Sequence, residues 1–198
     1  MHYPSFYDTI EKITLQDELS SFLGAFENGI IEFSYLDVVK CAGHSCPTVL
    51  GAYLMTLEGL KALYKDELPK RGEIKVEFAQ NAKEGVAGVI ANVISNITGA
   101  TSTQGFKGIA GNFDRRHLMF FEASIEGSVK FTRRDTKQSV EVVYNPSAIE
   151  PDINMPTLMQ KSIAKTATKE EQEEFGRLWQ ERVERIALNI SSVIAINA

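Results

Sequence analysis

Cysteine and histidine are scarce in this chain of 198 residues, which contains two cysteines and three histidines. Two cysteines cannot form the disulfide framework of a small secreted domain, and a chain of this length can bury a core without one. The charged fraction of 24% and the hydrophobic fraction of 43% are ordinary values, which exclude a disordered chain. The composition therefore predicts a globular protein with few metal-binding or nucleophilic side chains.

Long apolar runs and an excess of positive charge are also missing. No stretch of eighteen apolar residues occurs, and the start of the chain lacks a basic region followed by an apolar run. We therefore expect a cytoplasmic protein with no membrane partner. The net charge of -5 argues against a nucleic-acid partner, since such proteins carry a broad basic face. A small-molecule ligand, including an anion, remains open.

Both cysteines and one histidine occur within a single short segment, Cys41-Ala42-Gly43-His44-Ser45-Cys46-Pro47. Two thiolates and one imidazole are three of the four ligands that Zn²⁺ takes in proteins. Pro47 suits the first turn of a helix, so Cys46 lies at a helix N-terminus, which favours an anion. The segment predicts a metal site, most simply zinc, with His44, Cys46 and Cys41 as ligands. A redox pair of thiols is the alternative.

The fragment Gly43-His44-Ser45-Cys46-Pro47 resembles the Gly-His-x-Cys-Pro signature of the FmdE family, named for a subunit of formylmethanofuran dehydrogenases. The resemblance covers roughly residues 15 to 135 and includes Thr98-Gly99-Ala100-Thr101, where the family has Thr-Gly-Cys-Thr. It implies an α+β fold of the FwdE/GAPDH-like kind, with a mixed or antiparallel sheet packed against helices. It also implies that His44 and Cys46 belong to a metal site.

Two cysteines of the family pattern are missing here. Ala100 replaces one, and residues 80 to 92 contain no counterpart of the other. The remaining ligands must then come from elsewhere, and Cys41 is the first choice. His117, which follows a glycine-rich loop, is the second.

That glycine-rich loop runs from Gly99 to Gly111 and is rich in hydroxyl side chains. Its free backbone N–H groups could hold an anion or a polar ligand. The candidate ligand-binding residues are Thr101, Ser102, Thr103, Gln104 and Lys107. The simpler interpretation is a tight connection whose glycines let the backbone pass close to the helices.

Hydrophobic periodicity predicts the remaining elements. We expect a helix pair or one bent helix over 7–26, a helix from Pro47, a strand at Ile74 to Phe78 and a helix from Glu84 to Ile97. Strands at 118–125, 128–133 and 139–144 would form an antiparallel meander.

The C-terminal segment predicts a capping box at Thr168 followed by a helix of about 28 residues with a long apolar stripe. A stripe of this length needs a cover, so we expect a homodimer, or packing on the same chain. We divide the chain into an FmdE-like domain at 1–150 and a helical extension at 151–198.

Three functions fit these observations. The first is a zinc-binding protein with an undefined reaction. The second is a metal-dependent enzyme whose open coordination position accepts a small anionic substrate. The third is a haem-binding or thiol redox module, which would use His44 or the thiols toward iron.

Overall fold

The protein has an α+β fold, as the sequence predicted, in a computed structural model that describes residues 2–197. Met1, in the predicted domain at 1–150, and Ala198, in the predicted extension at 151–198, lie outside the described residues. The helices are α1 Glu18–Phe22, α2 Tyr35–Ala42, α3 Pro47–Tyr64, α4 Ala87–Thr98, α5 Met155–Ile163, α6 Lys169–Leu188 and α7 Ile190–Val193. The strands are β1 Ile13–Gln16, β2 Ile30–Phe33, β3 Ile74–Phe78, β4 Met119–Phe120, β5 Val129–Arg133, β6 Ser139–Tyr144 and β7 Ile194–Asn197.

The main sheet has five strands in the order β4-β3-β5-β6-β7. The β3–β4 pair is parallel and the other three pairs are antiparallel, so the sheet is mixed. Strands β3 and β5 alternate buried and half-buried residues, which gives the sheet one face toward the core. A separate antiparallel pair joins β1 to β2.

Helix α3 is the central element of the core and packs on the main sheet at two glycines. A Cβ atom on Gly51 would lie 2.2 Å from the Tyr144 ring, and one on Gly59 would lie 2.8 Å from the Phe131 ring. Both glycines are therefore required by the close approach of the helix to the strands. This packing places the first turn of α3, and Cys46 with it, above the end of β6.

The prediction of a helix pair or one bent helix over residues 7–26 is correct only for α1. A short 3₁₀ helix at Ser5–Thr9 leads into β1, and only α1 is α-helical in this region. The alternating residues of β1 pair with β2 through the register Leu15 opposite Ile31, so tertiary pairing overrides a helical spacing of apolar residues.

The predicted meander is half correct. The β5–β6 hairpin exists, but the first of the three predicted strands is reduced to the two residues of β4. It pairs with β3 in parallel rather than with β5, because β3 separates β4 from β5 in the sheet. The helix predicted from Glu84 begins at Ala87, and Gly99 ends it in the left-handed conformation, as predicted.

The C-terminal segment begins as predicted and ends differently. Thr168 and Glu171 form the capping box of α6, but this helix stops at Leu188 after 20 residues. The chain then returns through α7 to β7, which pairs with β6 as the edge of the main sheet. The stripe on α6 packs on the same chain, with Val183 and Ile186 fully buried. Among the described residues, no helix is both long and apolar enough to cross a membrane.

Candidate functional site

The loop between α2 and α3 carries the cysteine and histidine cluster. Gly43 ends α2 in the left-handed conformation, with φ of 76° and its N–H donating to the Val39 carbonyl. Cys46 is the N-cap residue of α3, and its Sγ accepts a hydrogen bond from the Val49 N–H at 3.4 Å. The prediction that Cys46 precedes a helix starting at Pro47 is confirmed. Only four residues separate the two helices, so their ends fix this loop.

Within this loop, His44 and Cys46 are in direct contact. The distance from Cys46 Sγ to His44 Nε2 is 3.4 Å, and His44 Nδ1 lies 3.1 Å from the Ala42 carbonyl oxygen. A carbonyl accepts only, so this contact places the proton on Nδ1 and leaves Nε2 with a lone pair toward the sulfur. The imidazole is exposed and Cys46 is half-buried. The pair is therefore oriented by the backbone and accessible from solvent.

Ser45, between these two residues, is the buried anchor of the loop. Its carbonyl oxygen accepts hydrogen bonds from Trp179 Nε1 at 3.1 Å and from Gln180 Nε2 at 3.3 Å, both on α6. Its hydroxyl lies 2.8 Å from the hydroxyl of Tyr35 on α2. Three contacts from two helices converge on one residue, so the side chains on either side of it are held in place.

Two buried tyrosines complete the support. Tyr144 on β6 donates its hydroxyl to the Pro47 carbonyl at 2.6 Å, which ties the start of α3 to the sheet. Burial raises the pKa of Tyr35 and of Tyr144 well above the ordinary value. Both hydroxyls therefore keep their protons at neutral pH, and the Tyr144 hydroxyl remains a donor.

The other predicted ligands are not brought into one cluster with this pair. Cys41 is exposed in the last turn of α2. His117 lies in the segment before β4, where its backbone N–H donates to Ser102 and its φ is 56°. Within residues 2–197, no group of three or more histidine, cysteine, aspartate or glutamate side chains is placed to hold one metal ion. Among the described residues, Cys41 therefore does not join His44 and Cys46 in one cluster, since it is held within a helix, and its role as a ligand stays a prediction.

His44 nevertheless lies between two cavities. One, of about 190 Å³, is also lined by Cys41 and by Asn92 and Asn96 of α4. The other, of about 640 Å³, is formed by α5 and α6, with Ile163 and Trp179 among its mostly apolar lining residues. The second volume falls in the range of small-molecule sites. A ligand in either cavity would reach the imidazole.

The residues predicted to bind a ligand lie in the loop after α4. The Thr101 hydroxyl donates to the Arg115 carbonyl at 2.7 Å, so it is used within the protein. The side chains of Ser102, Thr103, Gln104 and Lys107 are exposed. Gly108 passes so close to Asn112 that a Cβ atom would lie 2.3 Å from its carbonyl oxygen, as a tight connection requires.

Sequence reasoning missed Trp179 and Gln180, which hold the loop from α6. A single tryptophan on an amphipathic helix carries no signal that its N–H reaches a carbonyl 134 residues away. A triad of buried Asp17, buried Arg115 and half-buried Arg71 was missed as well.

A thiol and an imidazole held at the start of a buried helix, above a mixed sheet, define an α+β protein with an accessible donor pair. Comparison with family models gives a match to FmdE, described as "Molybdenum formylmethanofuran dehydrogenase operon", over residues 41–193. The chain belongs to the FmdE family. The match begins at Cys41 and continues through α6, beyond the predicted boundary at residue 150. Comparison with curated protein sequences finds no match.

Proposed function

We propose that this protein binds a divalent metal ion, zinc first, through His44 Nε2 and Cys46 Sγ. The distance of 3.4 Å between these atoms is the observation that carries the proposal. Zinc bonds of about 2.3 Å to sulfur and about 2.0 Å to nitrogen, at a tetrahedral angle, separate the two ligand atoms by about 3.5 Å. The pair therefore has the spacing of two ligands of one ion.

The surroundings of the pair support the same proposal. Metal-binding histidines commonly donate their second ring N–H to a carbonyl, as His44 does toward Ala42. The Val49 N–H and the N-terminus of α3 stabilise negative charge on Cys46. Both donors are thus prepared for a cation before it binds.

Two protein ligands leave coordination positions for other groups. We propose Cys41 as the third ligand, because it lines one cavity with His44, and a rotation of its exposed side chain requires no change in the core. His117 is the weaker candidate, since it lies in a separate loop. When bound, zinc would supply a Lewis acid beside the two cavities that His44 lines. His44 and Cys46 would orient it, and the apolar lining of the larger cavity would contact a ligand.

The family description refers to an operon of a molybdenum formylmethanofuran dehydrogenase. A role beside such an enzyme is part of our proposal, whereas its reaction is not, because a shared fold does not carry a reaction. The choice between a binding protein and an enzyme with an open metal position depends on whether ligands enter the cavities beside His44.

The homodimer stays a prediction. The stripe on α6 does not require it, and light scattering would test it.

Metal content after purification without chelators tests the proposal. We expect one zinc per chain in the wild type, and loss of that zinc in His44→Ala and in Cys46→Ser. Cys41→Ser should weaken binding while retaining some metal. His2→Ala is the matched control, since it removes an exposed histidine from the start of the chain. Full zinc content in both His44→Ala and Cys46→Ser would refute the proposal.

An absorption spectrum separates the haem alternative. A colourless protein with zinc supports the proposal, and a Soret band that disappears in His44→Ala would replace zinc by haem iron. Metal-free wild-type protein that takes up no added zinc would contradict both.

A further inference from the structure

A second cluster of charged residues lies outside the donor pair and has no part in the proposed metal site. Asp17, the N-cap residue of α1, is 2% exposed and accepts bonds from two arginines. Arg71 Nη1 lies 2.9 Å from its Oδ2, and Arg115 Nη2 lies 2.7 Å from its Oδ1. The three residues come from distant parts of the chain, so the fold assembles the cluster.

The cluster carries an excess of positive charge. Burial would raise the pKa of Asp17, but the charges of Arg115 and Arg71 outweigh it and hold this pKa below its ordinary value. The carboxylate is therefore ionised at neutral pH and neutralises one of the two guanidinium groups. One positive charge is left without a counterion inside the triad.

Arg115 also has an unused donor. This residue is 5% exposed, and within residues 2–197 its Nη1 has no hydrogen-bond partner. Arg71, in contrast, donates from Nε to Ile97 and from Nη2 to Asn96 in addition to Asp17. A buried, charged donor without an acceptor is costly, and native proteins usually satisfy such groups with a ligand or water.

A cavity of about 270 Å³ lies at this point, and both arginines line it. They are its only charged lining residues among those described; Ser95, Gly99 and Thr101 are among the others. A Cβ atom on Gly99 would lie 2.2 Å from Arg115 Nη1. The absence of a side chain at this position lets the guanidinium lie directly against the backbone that lines the cavity.

We propose that this cavity binds one small oxyanionic group, a phosphate or a carboxylate, beside the guanidinium groups of Arg71 and Arg115 that line it. The uncompensated positive charge of the triad and the polar lining from Ser95 both favour such a ligand. The cavity is large enough for the group and a few ordered waters. Asn96 lines both this cavity and the smaller cavity beside Cys41 and His44, so the two sites are neighbours.

The test is calorimetric titration of the full chain with inorganic phosphate and, in a separate arm, with acetate. Ser95→Asp places a carboxylate in this cavity only, whereas Asn92→Asp, on the same helix, adds a carboxylate to the cavity beside His44 only. We expect saturable binding in the wild type, weakened by about tenfold or more in Ser95→Asp and unchanged in Asn92→Asp. Tighter binding of phosphate than of acetate identifies a phosphate site, and the reverse identifies a carboxylate site.

Thermal unfolding of the same variants provides a second readout. Ser95→Asp should match or exceed the wild-type Tm, because its carboxylate offsets the excess charge near the arginines. If this variant does not fold, Asn96→Asp places the same charge from the next position. His44→Ala should bind the anion like the wild type, which separates this proposal from the metal site. Absence of saturable binding by both anions, or equal binding by Ser95→Asp and the wild type, would overturn it.

Discussion

Trp179 on α6 donates its indole N–H to the carbonyl oxygen of Ser45 at 3.1 Å, and this bond joins the C-terminal helix to the loop that holds His44 and Cys46. Trp179 thus restrains the donor pair through the backbone of Ser45, and the bond itself involves neither donor. The family match, which continues to residue 193, includes this helix. The helix is therefore part of the site's support.

Trp179→Phe tests this support. Loss of one hydrogen bond should destabilise the ordered loop by about 0.5–1.5 kcal/mol, which corresponds to at most about tenfold weaker zinc binding. Competition with a chromophoric chelator measures the affinity. Phe175→Leu is the control, because Phe175 packs beside Trp179 with ring centroids 5.6 Å apart and makes no bond to Ser45. Equal affinity of Trp179→Phe and the wild type would contradict the role of this bond.

Removal of the metal should leave the protein folded. The buried core runs through α3, α4 and the main sheet, while His44 is exposed and Cys46 only packs against its edge. Metal binding would then stabilise by mass action rather than hold the fold together. After treatment with a chelator we expect an unchanged far-ultraviolet circular dichroism spectrum and a lower Tm. A cooperative loss of helix on chelation would instead indicate a structural zinc.

Substitution by alanine should lower the free energy of unfolding at one helix glycine and raise it at another. Gly51→Ala places a Cβ atom 2.2 Å from the Tyr144 ring, and overpacking of this kind destabilises by about 1–3 kcal/mol. Gly176→Ala places its Cβ in open space within α6, and should stabilise by about 0.5–1 kcal/mol. Urea unfolding of the two variants measures both effects. A stabilised Gly51→Ala would show that α3 does not need this close approach.

Asp17 should make stability depend on acid pH. Because its folded pKa lies below the unfolded value near 3.8, its contribution is present above about pH 4 and is lost as the pH falls through the folded pKa. Asp17→Asn removes one partner of a buried ion cluster and should cost about 3–5 kcal/mol at pH 7. The difference from the wild type should shrink at lower pH. Urea unfolding at pH 7 and below pH 4 measures it, and Asp66→Asn, at an exposed position, is the control.

Local features of the site could be predicted because their causes are local. Pro47 starts a helix, Cys46 caps it, and His44 lies two residues before, so a few backbone angles determine their contact. The same locality explains the position of Cys41. The capping box of Ser34 and Asp37 starts a helix that extends through Cys41. Periodicity failed where elements were short, as at β1 and β4.

By itself the sequence determined the family signature, the helix that begins at Pro47 and the pairing of one thiol with one imidazole. Only the tertiary structure decided that α6 holds Ser45, that β7 closes the sheet, and that Arg115 meets Asp17 across 98 residues of chain. The reason is physical. A cap or a turn depends on neighbours within one helical turn, whereas contacts between distant residues arise from the packing of whole elements, which no local pattern of side chains specifies.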